Sequence, residues 1–137
     1  MSPVVLELEL LPGLHAVCRL DAGAAVPRWA AIGGFTSVTR TPDELSVICA
    51  SAAVPGGVTA ERDWRVLRVA GPLDFELTGV AAALTAPLAA AGVSVLPVAT
   101  YDTDYLLVRE SSLAVSLAAL AAAGHSVPPG ETAQPLS

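Results

Sequence analysis

Asp102, Thr103 and Asp104 stand between Tyr101 and Tyr105 in ATYDTDYLLVRE (99–110), directly ahead of an apolar run. Two neighbouring carboxylates can do general acid–base work, hold a hard cation, or accept hydrogen bonds from an ammonium group. Neither a histidine nor a third carboxylate stands at a recognisable spacing from this pair, which argues against the first two uses. Asp and Thr also favour β-turns, through side-chain bonds to their own backbone, so a polar hairpin turn is the competing reading. Other chemistry is scarce. The sequence contains no nucleophile elbow, P-loop or HExxH. His15 falls in a strand-like run and His125 just after a helical one, and both read as structural. Cys18 (HAVCRL) and Cys49 (SVICA) lack the CxxC or Cys/His spacing of a metal or redox site and read as buried small hydrophobes. The expectation is a protein that is not an enzyme, with no catalytic residue, metal or cofactor.

Composition narrows the partners. A chain of 137 residues suits one ordinary domain or two very small ones. With 53% hydrophobic residues and 4% aromatic, its core must be built mainly from Ala, Val and Leu. The net charge is −6, and the arginines at 19, 28, 40, 62, 65, 68 and 109 are scattered, so no basic face is expected for nucleic acid. MSPVVLELEL has no basic leader and places Glu7 and Glu9 where a signal would be apolar, so a cytoplasmic location is expected. From Leu77 to Tyr101 no residue is charged, long enough to span a membrane, for which about 20 helical residues suffice. That stretch is nevertheless alanine-rich, contains Pro87 and Pro97, and is broken at Gly92. It reads as a helix followed by a buried strand, with no membrane partner.

The elements that must position the two carboxylates follow from periodicity. VVLELELL and LHAVCRL read as strands around the turn Pro12-Gly13, VPRWAAIGG as a short helical turn, and FTSVTR and ELSVICA as strands around TPD. ASAAVPGGVTAERD reads as a connector and WRVLRVAG as a strand. TGVAAALTAPLAAAG predicts a helix with Thr78 as N-cap, an apolar stripe at Val80, Leu84 and Leu88, and a bend at Pro87. VSVLPVAT and DYLLVRE follow as strands. SSLAVSLAALAAAG predicts a second helix with a serine cap, Leu113, Leu117 and Leu120 on one side and Gly124 at its end. The tail HSVPPGETAQPLS predicts one short strand and then frays.

The order repeats. SVTRTPDELSVIC (37–49) set over PVATYDTDYLLVR (97–109) aligns strand, acidic turn and strand at a shift of 60, with Glu44 over Asp104. The predicted fold is α+β: two tandem ferredoxin-like βαββαβ units, each an antiparallel sheet with helices on one face. The boundaries expected are 1–62 for a first domain with short helices, 63–127 for a second, and 128–137 for a flexible tail.

GPLDFELTGVAAALTAPLAAAGVSVLPVATYDTDYLLV, with SVTRTPDELSVIC upstream, resembles the small tandem ACT-domain proteins of bacteria and, more distantly, the ACT modules of eukaryotic cytosolic arginine sensors. The resemblance covers nearly the whole chain; its most specific parts are LDFELTGV and ATYDTDY, where Ala99 replaces the family's usual serine. It implies regulatory binding of a small ligand, an amino acid, at a domain interface near the loop joining the first strand to the first helix. Carried over, that loop is LDFELTG (73–79), with Asp74 and Glu76 as specificity candidates and Thr78, Gly79 and Val80 at the helix N-terminus. The residue types agree, since free N–H groups and the positive end of a helix dipole suit a carboxylate. Asp102 or Asp104 would supply the countercharge for the ligand's ammonium, and Thr100 and the backbone of Tyr101 neutral hydrogen bonds. The first repeat, with Arg40 and Pro42 aligned to Thr100 and Asp102, is expected to be the poorer site. A homodimer or protein partner is implied. The alternative from another class is an interaction or dimerisation module with no ligand.

Overall fold

The computed structural model describes residues 4–71 and 79–129. Two compact units account for the chain, one made of Leu11–Arg65 and the other of Met1–Leu10 together with Val66–Ser137.

In the Leu11–Arg65 unit, β2 (His15–Leu20), β3 (Ser37–Arg40), β4 (Leu45–Ala50) and the first part of β5 (Thr59–Val69) pair in the order β3-β4-β2-β5. Every pairing among them is antiparallel. Alternate residues line the core, because successive side chains in a strand point to opposite faces: Ala16 and Cys18 from β2 meet Leu45, Val47 and Cys49 from β4. In place of two helices there are 3-10 turns at Arg28–Ala31 and Ser51–Ala53. Short turns leave carbonyls that no helix satisfies, and arginines take several of them. Arg62 donates to Ser51 O (2.9 Å), Val54 O and Pro55 O, Arg40 to Ala22 O and Ala24 O, and Arg19 to Asp43 O. The scattered arginines of the sequence are thus loop staples in this unit.

The segment read as a connector proves to be strand from Thr59 onward, pairing Thr59, Ala60 and Glu61 with Arg19, Cys18 and Val17. Its pattern was hidden because the inward positions carry Ala60 and Arg62, neither a strong apolar signal. Between Glu61 and Trp64 the register slips by one residue against β2, and Asp63 takes φ 68°. This is a β-bulge, which accommodates one extra residue by a local kink.

In the second unit, β1 (Leu8–Leu10), the end of β5, β7 (Asp104–Arg109) and β6 (Val95–Ala99) lie in the order β1-β5-β7-β6. β1 is antiparallel to β5, with Leu8 opposite Val69, and β6 antiparallel to β7. Helices α1 (Val80–Ala90) and α2 (Leu113–Ala122) pack on one face, their predicted stripes buried against Leu67, Val69, Leu106 and Val108. Each fully buried leucine is worth about 1.5–3 kcal/mol, so Leu84, Leu88 and Leu120 are principal contributors. Gly92 and Gly124 close the helices as expected, Gly92 N–H bonding to Ala89 O and Val93 N–H to Leu88 O. The serine cap differs: Ser112 sits at the N-cap of α2 but makes no side-chain cap bond, and a 3-10 turn at Glu110–Ser112 leads in.

Strand order in this unit is that of a ferredoxin-like α+β sheet, with one substitution. The slot that a βαββαβ chain fills with its last strand is filled by β1, from before the first. Among the described residues after α2, Ser126 alone joins, as a parallel bridge to Glu7. The strand expected in the tail is there one residue pair, and the tail from residue 130 onward lies outside the described residues.

The two hairpins set over each other in the sequence match in a different register. Arg40 pairs with Leu45 and Ala99 with Asp104, so the hairpins correspond at a shift of 59, and the 60 of the direct alignment is one residue too long. Both turns use the same bonds: Thr41 N–H and Oγ1 donate to Glu44 O, and Thr100 N–H and Oγ1 to Thr103 O. Thr41 therefore matches Thr100 and Asp43 matches Asp102. The expected contrast of Arg40 and Pro42 with Thr100 and Asp102 was an artefact of the slipped alignment.

Candidate functional site

The turn between β6 and β7 is anchored by a residue the sequence reading did not single out. Thr103, 3% exposed, donates its hydroxyl to Val69 O at 2.7 Å, fastening the turn to the end of β5. Thr100 and Thr103 close the turn itself, through Thr100 N–H to Thr103 O at 2.9 Å and Thr100 Oγ1 to the same carbonyl at 2.9 Å. Gly71, two residues beyond Val69, completes the contact. A Cβ there would stand 3.1 Å from Thr103 Cβ and 3.3 Å from Asp102 O, closer than neighbours of ordinary packing. A side chain there would require the turn to give by a few tenths of an ångström, which glycine avoids. The turn carrying the two carboxylates is thereby held against the start of the β5–α1 connection. The available signal was a threonine with aspartates on both sides, which reads first as turn propensity and conceals a buried hydroxyl.

Of the residues expected to form the site, Asp74, Glu76 and Thr78 lie outside the described residues. Gly79 is the N-cap of α1, in the left-handed conformation (φ 82°, ψ 2°), with no side chain to cap the first turn. The N-cap therefore falls one residue after the expected Thr78. Its carbonyl accepts the first helical bond, from Ala83 N–H at 2.9 Å. Val80 is 6% exposed and its side chain belongs to the core, which leaves only its backbone for any ligand. Thr100 uses its hydroxyl within the turn, Tyr101 is 83% exposed, and Asp102 is exposed beside it. Asp104 is half-buried at the first position of β7. By the alternation of a strand it shares a face with Leu106 and Val108, the face that carries the helices.

Tyr105 takes the opposite face. There Arg68 bonds to Glu9 Oε1 at 2.7 Å and to the Tyr105 side chain, contacts that raise the guanidinium pKa, Glu9 contributing most. All three are surface residues on neighbouring strands, and the pair Glu9–Arg68 is also a backbone register pair. Such an exposed pair adds little stability but fixes side-chain direction.

Elsewhere three titratable side chains, those of His15, Cys18 and Cys49, are buried within the Leu11–Arg65 unit. His15 is 1% exposed, edge-on to Phe35 at 6.5 Å between ring centroids, and its ring nitrogens make no hydrogen bond of ordinary geometry. Burial lowers its pKa; a backbone contact with Gly13 opposes this in part, and the charge of Arg65 adds to it. Cys18 and Cys49 are free thiols on β2 and β4, in contact with each other. Burial pushes Cys49 up to about 11 and Cys18 upward too, Cys18 raising Cys49 further while Arg62 acts against both shifts. Among the described residues no three His, Cys, Asp or Glu side chains cluster as metal ligands, and no helix is long and apolar enough to cross a membrane.

An antiparallel sheet in this strand order, with helices on one face and a hairpin turn pinned beside the first strand's end, defines a ferredoxin-like α+β fold. The comparisons name it. The ACT domain model matches residues 59–122, and a second model, described as an N-terminal domain, matches residues 13–57. The match to the first ends where α2 ends, consistent with a fourth strand supplied from β1. The Homo sapiens protein named cytosolic arginine sensor for mTORC1 subunit 1 is 36% identical over 98 residues, which are 64% of this chain and 30% of that protein. The chain thus spans about 30% of the length of the curated relatives it matches. Among solved structures, protein Atu0741 from Agrobacterium tumefaciens is 38% identical with a TM-score of 0.87, covering 91% of this chain and 93% of that one. The regulatory subunit of aspartate kinase from Thermus thermophilus, at 13% identity, shares the fold with a TM-score of 0.63 over 88% and 99% of the two chains. The chain belongs to the ACT-domain family, and within it resembles the cytosolic arginine sensors.

Proposed function

We propose that this chain is a regulatory protein of two tandem ACT modules, dividing within β5, and that it binds an amino acid at the Val66–Ser137 module. The ligand's carboxylate meets the N-terminus of α1 at Gly79, and its ammonium meets Asp104 or Asp102. Asp74 and Glu76 in the connecting loop select the ligand side chain. The observation that carries this reading is the Thr103 anchor, which holds the acidic turn to the end of β5 beside Gly71, where the loop to α1 begins. A ligand bound across loop and turn stabilises the arrangement it prefers, and passes its occupancy to a second copy or a protein partner by linkage. The cytosolic sensors among the relatives support a cytoplasmic setting and a regulatory role in place of catalysis.

Thermal unfolding of the purified chain against each of the twenty amino acids tests the reading. At about 100 times Kd a ligand adds about 2.7 kcal/mol, which for a chain of this length raises the midpoint by on the order of 5–10 °C. A responder whose effect disappears in Asp104→Ala supports the site. Absence of any response across the panel at millimolar concentration would sink it and favour the interaction module, whose partner would then be sought by its effect on the same midpoint.

A further inference from the structure

Helix α1 contains a proline, Pro87, at its eighth position. Proline has no N–H, so the carbonyl four residues earlier, that of Ala83, loses its helical donor. A side chain from the far end of the unit takes its place: His125 Nε2 lies 2.8 Å from Ala83 O. A carbonyl only accepts, so Nε2 carries a proton. The other ring nitrogen, Nδ1, lies 3.1 Å from the backbone nitrogen of Leu6, and an amide only donates, so Nδ1 carries none. The two partners together assign the neutral Nε2–H tautomer. His125 is 5% exposed.

The same few residues fasten the N-terminal segment along its length. Ser126 N–H bonds to Leu6 O at 2.9 Å, Leu8 N–H to Ser126 O at 2.8 Å, and Ala70 N–H to Glu7 O at 2.8 Å. At the other end of that segment Val4 Cγ2 stands 3.8 Å from the place of a Cβ on Gly79, the N-cap of α1. Leu6 and Leu8 are buried in the core that α1 and α2 share. The N-terminal strand, which completes the sheet, and the helix that leads out of the proposed ligand loop are thus joined through one imidazole.

We propose that His125 is a proton-gated clasp. Neutral, it bridges Leu6 N–H to the carbonyl that Pro87 leaves open, and so locks the N-terminal strand to α1. A second proton turns Nδ1 into a donor facing the donor N–H of Leu6. That bond is lost while the bond to Ala83 O remains, so acid frees the strand and spares the helix. Among the described residues, helices α1 and α2 contain no titratable side chain; on the N-terminal segment Glu7 is exposed, alternating away from Leu6 and Leu8, Glu9 is paired with Arg68, and on the sheet face that carries the helices Asp104 is half-buried at the start of β7. His125 here is a positioning residue, and the clasp stands whether or not the proposed ligand binds.

Nitrogen-resolved NMR of the full chain at neutral pH is expected to show the His125 ring as the Nε2–H tautomer; the Nδ1–H tautomer would overturn the assignment. Amide exchange then reads the gate. As pH is lowered until the same spectra show the His125 ring doubly protonated, protection of the Leu6 amide relative to that of Leu107 is expected to fall roughly five- to tenfold. In His125→Phe it starts low and stays level. Unchanged relative protection in the wild type would refute the gate. A double-mutant cycle tests the Pro87 half. Pro87→Ala restores a backbone donor to Ala83 O, so His125→Phe lowers the folding constant several-fold less in that background than in the wild type. The same factor in both backgrounds would show that Ala83 O never depended on the ring. Should His125→Phe fail to fold, the tautomer and the wild-type pH response still decide the matter.

Discussion

Replacing Thr103 by valine removes one hydroxyl and keeps the volume, so it isolates the anchor between the acidic turn and β5. The bond it breaks, Thr103 Oγ1 to Val69 O, is short at 2.7 Å, and both residues are buried, at 3% and 0% exposed. A net hydrogen bond is worth about 1 kcal/mol, and leaving a buried carbonyl without its donor raises the cost to about 1–3 kcal/mol. Thr103→Val should therefore destabilise by about 2 kcal/mol, on the order of a thirtyfold drop in the folding constant. Thr103→Ser keeps the donor and loses a methyl, and should cost about 1 kcal/mol or less. Urea unfolding followed by intrinsic fluorescence from Trp29 and Trp64 provides both numbers, with an unchanged slope as evidence that the same surface is exposed. If valine proves as stable as serine, the hydroxyl contributes nothing and the anchoring argument is wrong. If valine is costly and yet an amino-acid response in the midpoint survives undiminished, the anchor is structural and the ligand site lies elsewhere.

Other outcomes follow from the same geometry. Gly79→Ala meets only Val4 at 3.8 Å, an ordinary contact, so its penalty of about 1–2 kcal/mol should come from the left-handed backbone alone; equal cost for Gly79→Asn, which tolerates that conformation better, would contradict this. His15 is held below its ordinary pKa near 6.5 when folded, so below that value the unfolded chain binds more protons. Stability, measured by urea midpoints, should be complete above about pH 6.5 and fall as pH drops beneath it, and His15→Leu should flatten that contribution. Cys18 and Cys49, buried and with raised pKa, should react with a thiol reagent at about pH 8 at least on the order of a hundredfold more slowly than an open cysteine. Both should be labelled together as their sheet opens, and fast labelling of either one alone would show that its burial is wrong.

Much of the architecture was legible because its signals are local. The stripe Val80, Leu84, Leu88, the stripe Leu113, Leu117, Leu120 and the closing glycines need only a few residues of context, and all are where the periodicity put them. The 3-10 turn at Arg28–Ala31 and the strands around TPD were equally plain. What the sequence concealed is long-range or carried by weak formers. Nothing in VVLELELL says that Leu8 faces Val69, because a strand's alternation specifies its face and not its partner. TAERD lacked apolar residues to declare itself a strand, its inward arginine being satisfied by three carbonyls of a neighbouring loop. In the site, Asp102 and Asp104 were visible as charges and Gly79 as a glycine before a helix, whereas the buried bond of Thr103 to Val69 connects positions 34 residues apart and leaves no mark in composition. The one-residue error in the repeat alignment has a similar origin: turns of matching shape but different residues gave identity too low to fix a register.

The placement of β1 carries a consequence for biosynthesis. Residues 11–65 form an unbroken length of chain that makes one compact unit, so that unit can close as soon as Arg65 clears the ribosomal tunnel. The other unit cannot. Leu6 and Leu8 emerge earlier than any of it, yet Leu6 awaits His125, 119 residues downstream, and Leu8 awaits Ser126. A short apolar strand therefore waits some 60 residues for its partner in β5, and about twice as long for His125 and Ser126. At elongation rates of about 5–20 residues per second that interval lasts several seconds or more. Long-range closures of this kind are slow, since the chain must first surrender the entropy of a large loop. Elongation speed over the codons for residues 66–126, and chaperones that shield nascent chains, should thus affect the yield of native protein more than either would for a chain whose strands meet in the order they are made.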